Sequence, residues 1–245
     1  MSDLSNSVAL ISGASSGIGL AAAKALDAKC VQVVLQGIDG AALERVCADF
    51  KKKPLVVVGD ISDSTVCESA ITKTITEFGK LDIVIANAGI YLTKDGWSVP
   101  PSQIDQLVGV NILGVMHLVH AAIKHYLKVG GGDILVTSSV AGLVDVAHEA
   151  VYSATKNAVT SFVNSTRSNV AGKNIRIGSV EPGYVQTPLW VTKPDASGAA
   201  IPELVANDRA LKPEDVANAM LFMLTQPRHV NIRDVVILPT DQKFS

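Results

Sequence analysis

Short, continuously apolar runs alternate along this chain with longer stretches in which apolar positions recur every three or four residues. The runs are VALIS (8–12), VQVVLQ (31–36), PLVVVG (54–59), LDIVIAN (81–87), DILVTS (133–138), IRIGSV (175–180) and DVVILP (234–239). Each has the length and the β-branched content of a strand. Because they are apolar without a break, they predict strands covered on both faces. Most of the intervening stretches are long enough for a helix, so the chain predicts an α/β fold with a parallel, doubly wound sheet of about seven strands flanked by helices. The helical stretches around 104–128 and 152–171 carry apolar residues on more than one face. That pattern suits burial against the sheet on one side and against another subunit on the other.

No repeat, linker or low-complexity segment divides the 245 residues, so the pattern predicts a single domain over 1–245. One segment, 188–210 (PLWVTKPDASGAAIPELVANDRA), resists assignment. A connection of that length inside a compact domain is either a surface loop or, the reading its length favours, a substrate lid.

Composition narrows the classes of function. Hydrophobic residues make up 48% and charged residues 18%, which fits a packed interior rather than disorder. The formal net charge of -2 gives no electrostatic case for nucleic acid or an anionic membrane surface. Cys30, Cys47 and Cys67 are odd in number and lack CxxC spacing, which predicts reduced thiols. With a polar N-terminus and no long apolar run, the expectation is a cytoplasmic protein. His117, His120 and His125 share one apolar helical stretch, but they have no carboxylate partner and no HExxH pattern. No metal is expected there.

Two groups of residues carry chemistry. The first strand runs into GASSGIG, with Gly13, Gly17 and Gly19 around Ser15, Ser16 and Ile18. Glycines there let the chain turn tightly against a pyrophosphate, while the helix that follows offers its N-terminal amides to the anion. The spacing is GxxxGxG, neither GxGxxG nor a P-loop. Downstream, in YSATK, Tyr152 and Lys156 stand one helical turn apart on one face. A nearby ammonium favours a phenolate, so this pair predicts a phenol of lowered pKa, able to exchange a proton near neutrality.

Together these residues resemble the short-chain dehydrogenase/reductase family over nearly the whole chain, which implies a Rossmann-type fold and a nicotinamide cofactor, NAD(P)(H). Ser12 stands where that family usually has threonine. Asp60, followed by Ile61, matches its adenine-side acidic residue. Asn87, Ala88 and Gly89 match three of the four residues of its NNAG motif, with Ala86 in the first place. By the same resemblance Asn111, Ser139, Tyr152 and Lys156 are the catalytic positions. Tyr152 would be general acid/base, Ser139 would hydrogen-bond the reacting oxygen, and Asn111 would anchor a water leading from Lys156 to solvent. Pro182, Gly183, Val185 and Thr187 match its nicotinamide-side segment. A homotetramer is implied, with a homodimer as the alternative.

The resemblance leaves cofactor and substrate open. At the end of the second strand the carboxylate that would favour NAD is replaced by Gly37, followed by Ile38, and no arginine stands there for a 2′-phosphate. Asp39 can approach the ribose if the loop is displaced, whereas Ser15 can donate to a phosphate, and the balance leans slightly to NADP. The chain is most similar to ribitol dehydrogenase-like members, which implies a polyol or keto-sugar, and Asp145, His148 and Glu149 either offer polar groups to several hydroxyls or are solvent-facing loop residues. Tyr91, Trp97, Leu143, Val144, Leu189 and Trp190 instead suit a bulky apolar ketone. A dinucleotide-sensing protein without turnover, or an epimerase or dehydratase using the nicotinamide transiently, stands as the remaining alternative.

Overall fold

The computed structural model describes residues 2–92, 96–147, 149–190 and 203–243. Its strands are β1 (Val8–Ser12), β2 (Gln32–Gly37), β3 (Leu55–Val58), β4 (Ile83–Ala86), β5 (Gly132–Thr137), β6 (Ile175–Pro182) and β7 (Asp234–Ile237). They form one seven-stranded sheet in the order β3-β2-β1-β4-β5-β6-β7, and every pairing is parallel. The fold is the doubly wound Rossmann-type architecture that the apolar runs predict.

Between the strands lie α1 (Gly17–Ala28), α2 (Gly40–Cys47), α3 (Ser64–Phe78), α4 (Pro101–Val108), α5 (Val115–Val129), α6 (Ala150–Asn169), α7 (Glu203–Ala206) and α8 (Pro213–Leu224). A π-helical turn, Gly109–Gly114, joins α4 to α5 in one rod. Successive strand residues point to opposite faces. Leu10 of β1 therefore joins the core packed under α3, α5 and α6, while its neighbour Ile11 joins the core under α1, α2 and α8. All five β1 residues are buried, which explains a run with no polar alternation. The rod Pro101–Val129 has a mean hydropathy of 1.6, and by length and composition it could cross a membrane. Val115, Leu118, Val119 and Ala122 of that rod lie in the core beside the sheet, which accounts for much of its apolarity.

Local chemistry sets several helix ends. Asp39 caps α2 by accepting from the Ala42 amide at 3.0 Å, and Asp63 caps α3 by accepting from Thr65 at 2.8 Å. Gly79 and Gly130 close α3 and α5 in the left-handed region, at φ 74° and 92°. The start of α1 differs: Ser16 precedes it in an extended conformation and gives no side-chain cap. Its first amides are thus left for another partner.

The strand order reverses between β1 and β4, so the chain leaves these neighbouring strands toward opposite faces and opens a crevice at their carboxyl ends. The site described below occupies that crevice.

Candidate functional site

A cavity of about 420 Å³ runs along the carboxyl ends of the central strands. Of the residues singled out in the sequence, Gly13, Ser15, Ser16, Gly17, Ile18, Gly37, Asp60, Ile61, Asn87, Ala88, Gly89, Ser139, Tyr152, Lys156, Pro182, Gly183, Val185 and Thr187 line it. Gly19 and Asn111 stand behind the wall, each for a physical reason.

A Cβ on Gly19 would lie 2.3 Å from the Gly13 carbonyl oxygen, so this glycine allows α1 to pack directly on the loop that begins it. Gly13 has φ 65°, and a Cβ there would lie 2.8 Å from the Ala88 Cα. Ser12 holds the two segments together, its hydroxyl accepting from the Asn87 and Ala88 amides at 3.0 Å each. The Asn87 side chain donates to the Ser12 carbonyl at 3.1 Å and accepts from the Thr137 hydroxyl at 3.0 Å. This bracing leaves the uncapped start of α1 facing the cavity, and the combination of glycine cradle and free amides fits a dinucleotide pyrophosphate.

Asn111 is fully buried in the π-helical turn. Its side-chain oxygen accepts from the Ile90 amide at 2.8 Å, and its nitrogen donates to the Ile90 carbonyl at 2.9 Å and to the Thr155 hydroxyl at 3.2 Å. The carboxamide is therefore a clamp on the main chain after β4 and does not itself line the cavity. A π-turn is a recurrent way of aiming one helical side chain out of register, and no periodicity in the sequence announces it.

At the far end of the crevice stand Ser139, Tyr152 and Lys156. Lys156 is 5% exposed and donates to the Thr137 carbonyl at 3.1 Å, with its Nζ 5.7 Å from the centroid of the Tyr152 ring. Burial lowers the Lys156 pKa to about 8. Burial also pushes the Tyr152 phenol well above its ordinary value; a hydrogen bond with Ser139 pulls it down, and the Glu149 carboxylate adds to the rise. This corrects the expectation of a phenol of lowered pKa, because desolvation outweighs an ammonium that is directed to a carbonyl instead. The resting phenol is neutral.

Several expectations about the remaining residues need correction. Asp39 is spent on capping α2 and does not line the cavity. Trp97 is 88% exposed, and neither it nor Leu143, Val144 or Asp145 lines the wall. Tyr91, Leu189 and Glu149 do. His148 and residues 191–202 of the expected lid lie outside the described residues, as does the Trp190 side chain. Pro188 and Leu189, at the start of that segment, line the cavity. Gln36, Tyr184 and Gln242 also line it and had no signal in the sequence. Gln242 lies near the end of the chain and reaches the site by accepting from the Tyr184 amide at 2.9 Å. Among the described residues no group of three or more His, Cys, Asp and Glu side chains gathers as a metal site would require.

Comparisons with known proteins agree with this geometry. Residues 7–197 match the family model described as short chain dehydrogenase. A Staphylococcus epidermidis protein named an uncharacterized oxidoreductase is 31% identical over 239 residues, covering 98% of this chain and 100% of its own. The crystal structure of 3-ketoacyl-(acyl-carrier-protein) reductase from Brucella melitensis complexed with NADH matches with a TM-score of 0.87 at 29% identity, covering 97% of this chain and 98% of that one. An alcohol dehydrogenase from the archaeon Thermococcus sibiricus, complexed with 5-hydroxy-NADP, matches with a TM-score of 0.84 at 25% identity over 98% of this chain and 99% of that one. With the family model spanning most of the sequence and the sheet, the glycine cradle and the crevice all in agreement, the chain belongs to the short-chain dehydrogenase/reductase family and is an NAD(P)-dependent oxidoreductase.

Proposed function

We propose that the protein interconverts a secondary alcohol and its ketone, with Tyr152 passing the proton to or from the substrate oxygen. The observation that carries this reading is a phenol buried in the cavity wall, hydrogen-bonded to Ser139 and one helical turn from a buried lysine. A neutral phenol is ready to protonate the oxygen of a ketone as it is reduced. Ser139 steadies the same oxygen as its charge develops. Alcohol oxidation needs the phenol to give up its proton first, so the reverse reaction gains with rising pH. Lys156, losing its own proton near pH 8, is the neighbour through which that proton is exchanged.

The bound nicotinamide would supply or accept the hydride. Gly13, Ser15, Ser16, Gly17 and Ile18 would hold its pyrophosphate, and Asp60 and Ile61 its adenine. Asn87, Ala88 and Gly89 would support the middle of the molecule, with Pro182, Gly183, Val185 and Thr187 on the nicotinamide side. Gly37 and Ile38 would face the adenine ribose, and the choice between NAD and NADP rests on them. The slight lean to NADP has little electrostatic support, since Lys156 is the one lysine or arginine among the described lining residues and it stands at the catalytic end.

For the substrate, Glu149 supports a polyol or keto-sugar, while Ile90, Tyr91, Val140, Val146 and Leu189 support a bulkier apolar ketone. The stretch 188–210 would act as the lid of a single domain. Leu127 and Val129 of α5, Phe222 of α8 and Val236 of β7 are exposed and suit assembly as a homotetramer, or failing that a homodimer.

Turnover of the purified protein tests the reading, with NAD and NADP each offered against pentitols, simple secondary alcohols and bulky aryl alcohols, and the reduced forms against the matching ketones. Reduction or oxidation of cofactor in step with product supports it. Tight cofactor binding with no turnover of any of them would move the sensing reading to the front. Conversion of substrate without net change in cofactor would favour the epimerase or dehydratase alternative.

A further inference from the structure

The catalytic end of the cavity holds a carboxylate that proton exchange at Tyr152 does not use. Glu149 is 8% exposed and lines the wall. It occupies the residue just before α6, where a side chain commonly caps the helix, yet it makes no capping bond. Its carboxylate turns to Tyr91 instead, whose hydroxyl donates to it at 2.5 Å. The Tyr91 ring stands edge-on to the Tyr152 ring, with centroids 4.8 Å apart. Glu149 also stands three residues before Tyr152, at the start of the helix that carries the phenol. The carboxylate is thus held beside the phenol by a phenolic strut.

Its surroundings define what it can take. Tyr91, Val146, Tyr152 and Tyr184 are neighbouring parts of a wall that is otherwise largely apolar. The other lining carboxylate, Asp60, accepts from the Ser62 amide and hydroxyl at the adenine end. The lining cation, Lys156, is directed to the Thr137 carbonyl. A carboxylate offers about four lone-pair sites and Tyr91 fills one. Buried anions are stable only when hydrogen-bonded or paired, so the arrangement favours a ligand that brings a donor and opposes one that brings a negative charge.

Resting on the alcohol/ketone reading above, we propose that Glu149 is a specificity-determining residue: it accepts a hydrogen bond from a hydroxyl or ammonium group carried beside the substrate's reacting carbon, and it excludes substrates with a carboxylate there. The substrate class that follows is a vicinal diol or an amino alcohol, together with the corresponding hydroxy or amino ketone. Burial, which raises the Glu149 pKa in the free protein, is in line with a carboxylate awaiting a donor.

The test uses four small alcohols that differ in the groups borne by the carbon beside the carbinol carbon: 2-butanol, 2,3-butanediol, 3-amino-2-butanol and 3-hydroxybutyrate. The quantity read is kcat/KM for each, divided by that for 2-butanol in the same protein, so losses of folding or basal rate cancel. In the native protein the diol or the amino alcohol exceeds 2-butanol by at least about tenfold and 3-hydroxybutyrate falls below it. Preference for the amino alcohol identifies the ammonium as the recognised donor, and preference for the diol identifies the hydroxyl. Glu149→Gln, which keeps size and one acceptor oxygen, lowers the amino alcohol ratio by about tenfold and lets the carboxylate substrate recover. Glu149→Leu brings the diol and amino alcohol ratios close to one. Ratios unchanged in both variants, with turnover intact, overturn this inference alone. Absence of turnover of every alcohol and ketone offered overturns it together with the reading on which it rests.

Discussion

Replacing Lys156 by methionine should stabilise the protein near neutral pH while removing its activity. The native ammonium is buried and its pKa falls from the ordinary 10.5 to about 8. At 1.36 kcal/mol per pKa unit, carrying that charge at pH 7 costs roughly 3 kcal/mol of folding stability. The variant has a side chain of similar length and no charge. It also leaves the Thr137 carbonyl without the 3.1 Å bond it now accepts, a loss of about 1 to 3 kcal/mol. The net gain at pH 7 is therefore small, about 0 to 2 kcal/mol, and the sharper observable is its pH dependence. Because the folded pKa lies below the unfolded one, the penalty is complete below pH 8 and disappears as the pH approaches 10.5. Between pH 7 and 9.5 the native protein should gain about 2 kcal/mol relative to the variant.

Urea unfolding followed by circular dichroism at several pH values measures that difference. Cys67, raised to about 12 by burial, and Tyr126, raised well above its ordinary value by burial, make stability fall as the pH climbs through their unfolded values. They do so in both proteins, and the comparison cancels them. Parallel stability curves for the two proteins would refute the reasoning and show that the lysine carries its charge inside the fold without penalty.

Two further substitutions probe the cofactor end. Gly19→Ala puts a methyl 2.3 Å from the Gly13 carbonyl oxygen and 2.6 Å from the Asn87 side-chain nitrogen, so the loop must shift; a cofactor titration should show dinucleotide affinity falling at least about tenfold, and an unchanged Kd would contradict the cradle. At Gly37 a Cβ meets only ordinary contacts with Leu43, the nearest at 3.6 Å, so Gly37→Asp is accommodated; its charge should raise the NAD to NADP ratio of kcat/KM by about tenfold, and a ratio that stays or falls would place the ribose elsewhere.

How much of this was legible in the sequence follows from the range of the interactions involved. The strands were legible because burial on both faces writes itself into consecutive residues, as in VALIS. The segments that line the crevice were legible because each is short and local, a glycine loop or a strand end. Asn111 stood out in the sequence, but the clamp its side chain places on Ile90 from a π-helical turn did not, because helical periodicity does not encode that slip. Asp39 looked available for a ribose, yet its closest unsatisfied donor is the Ala42 amide one turn along, and the local bond wins. Trp97 and Leu143 looked like pocket walls because bulk is visible in a sequence and direction is not. Glu149 gained its meaning from Tyr91, 58 residues away. The lowered phenol pKa was the largest error, since spacing brings a lysine near a tyrosine but says nothing of the desolvation that overrides it.

The central claim is that Tyr152 moves the proton. Tyr152→Phe removes one oxygen, keeps the ring that meets Tyr91 and leaves the glycine cradle untouched, so cofactor affinity and turnover can be read on the same preparation. The variant should bind NAD or NADP with a dissociation constant within a few fold of the native value and show a kcat lowered by at least about a hundredfold. A variant that binds cofactor and turns over substrate at the native rate would contradict it.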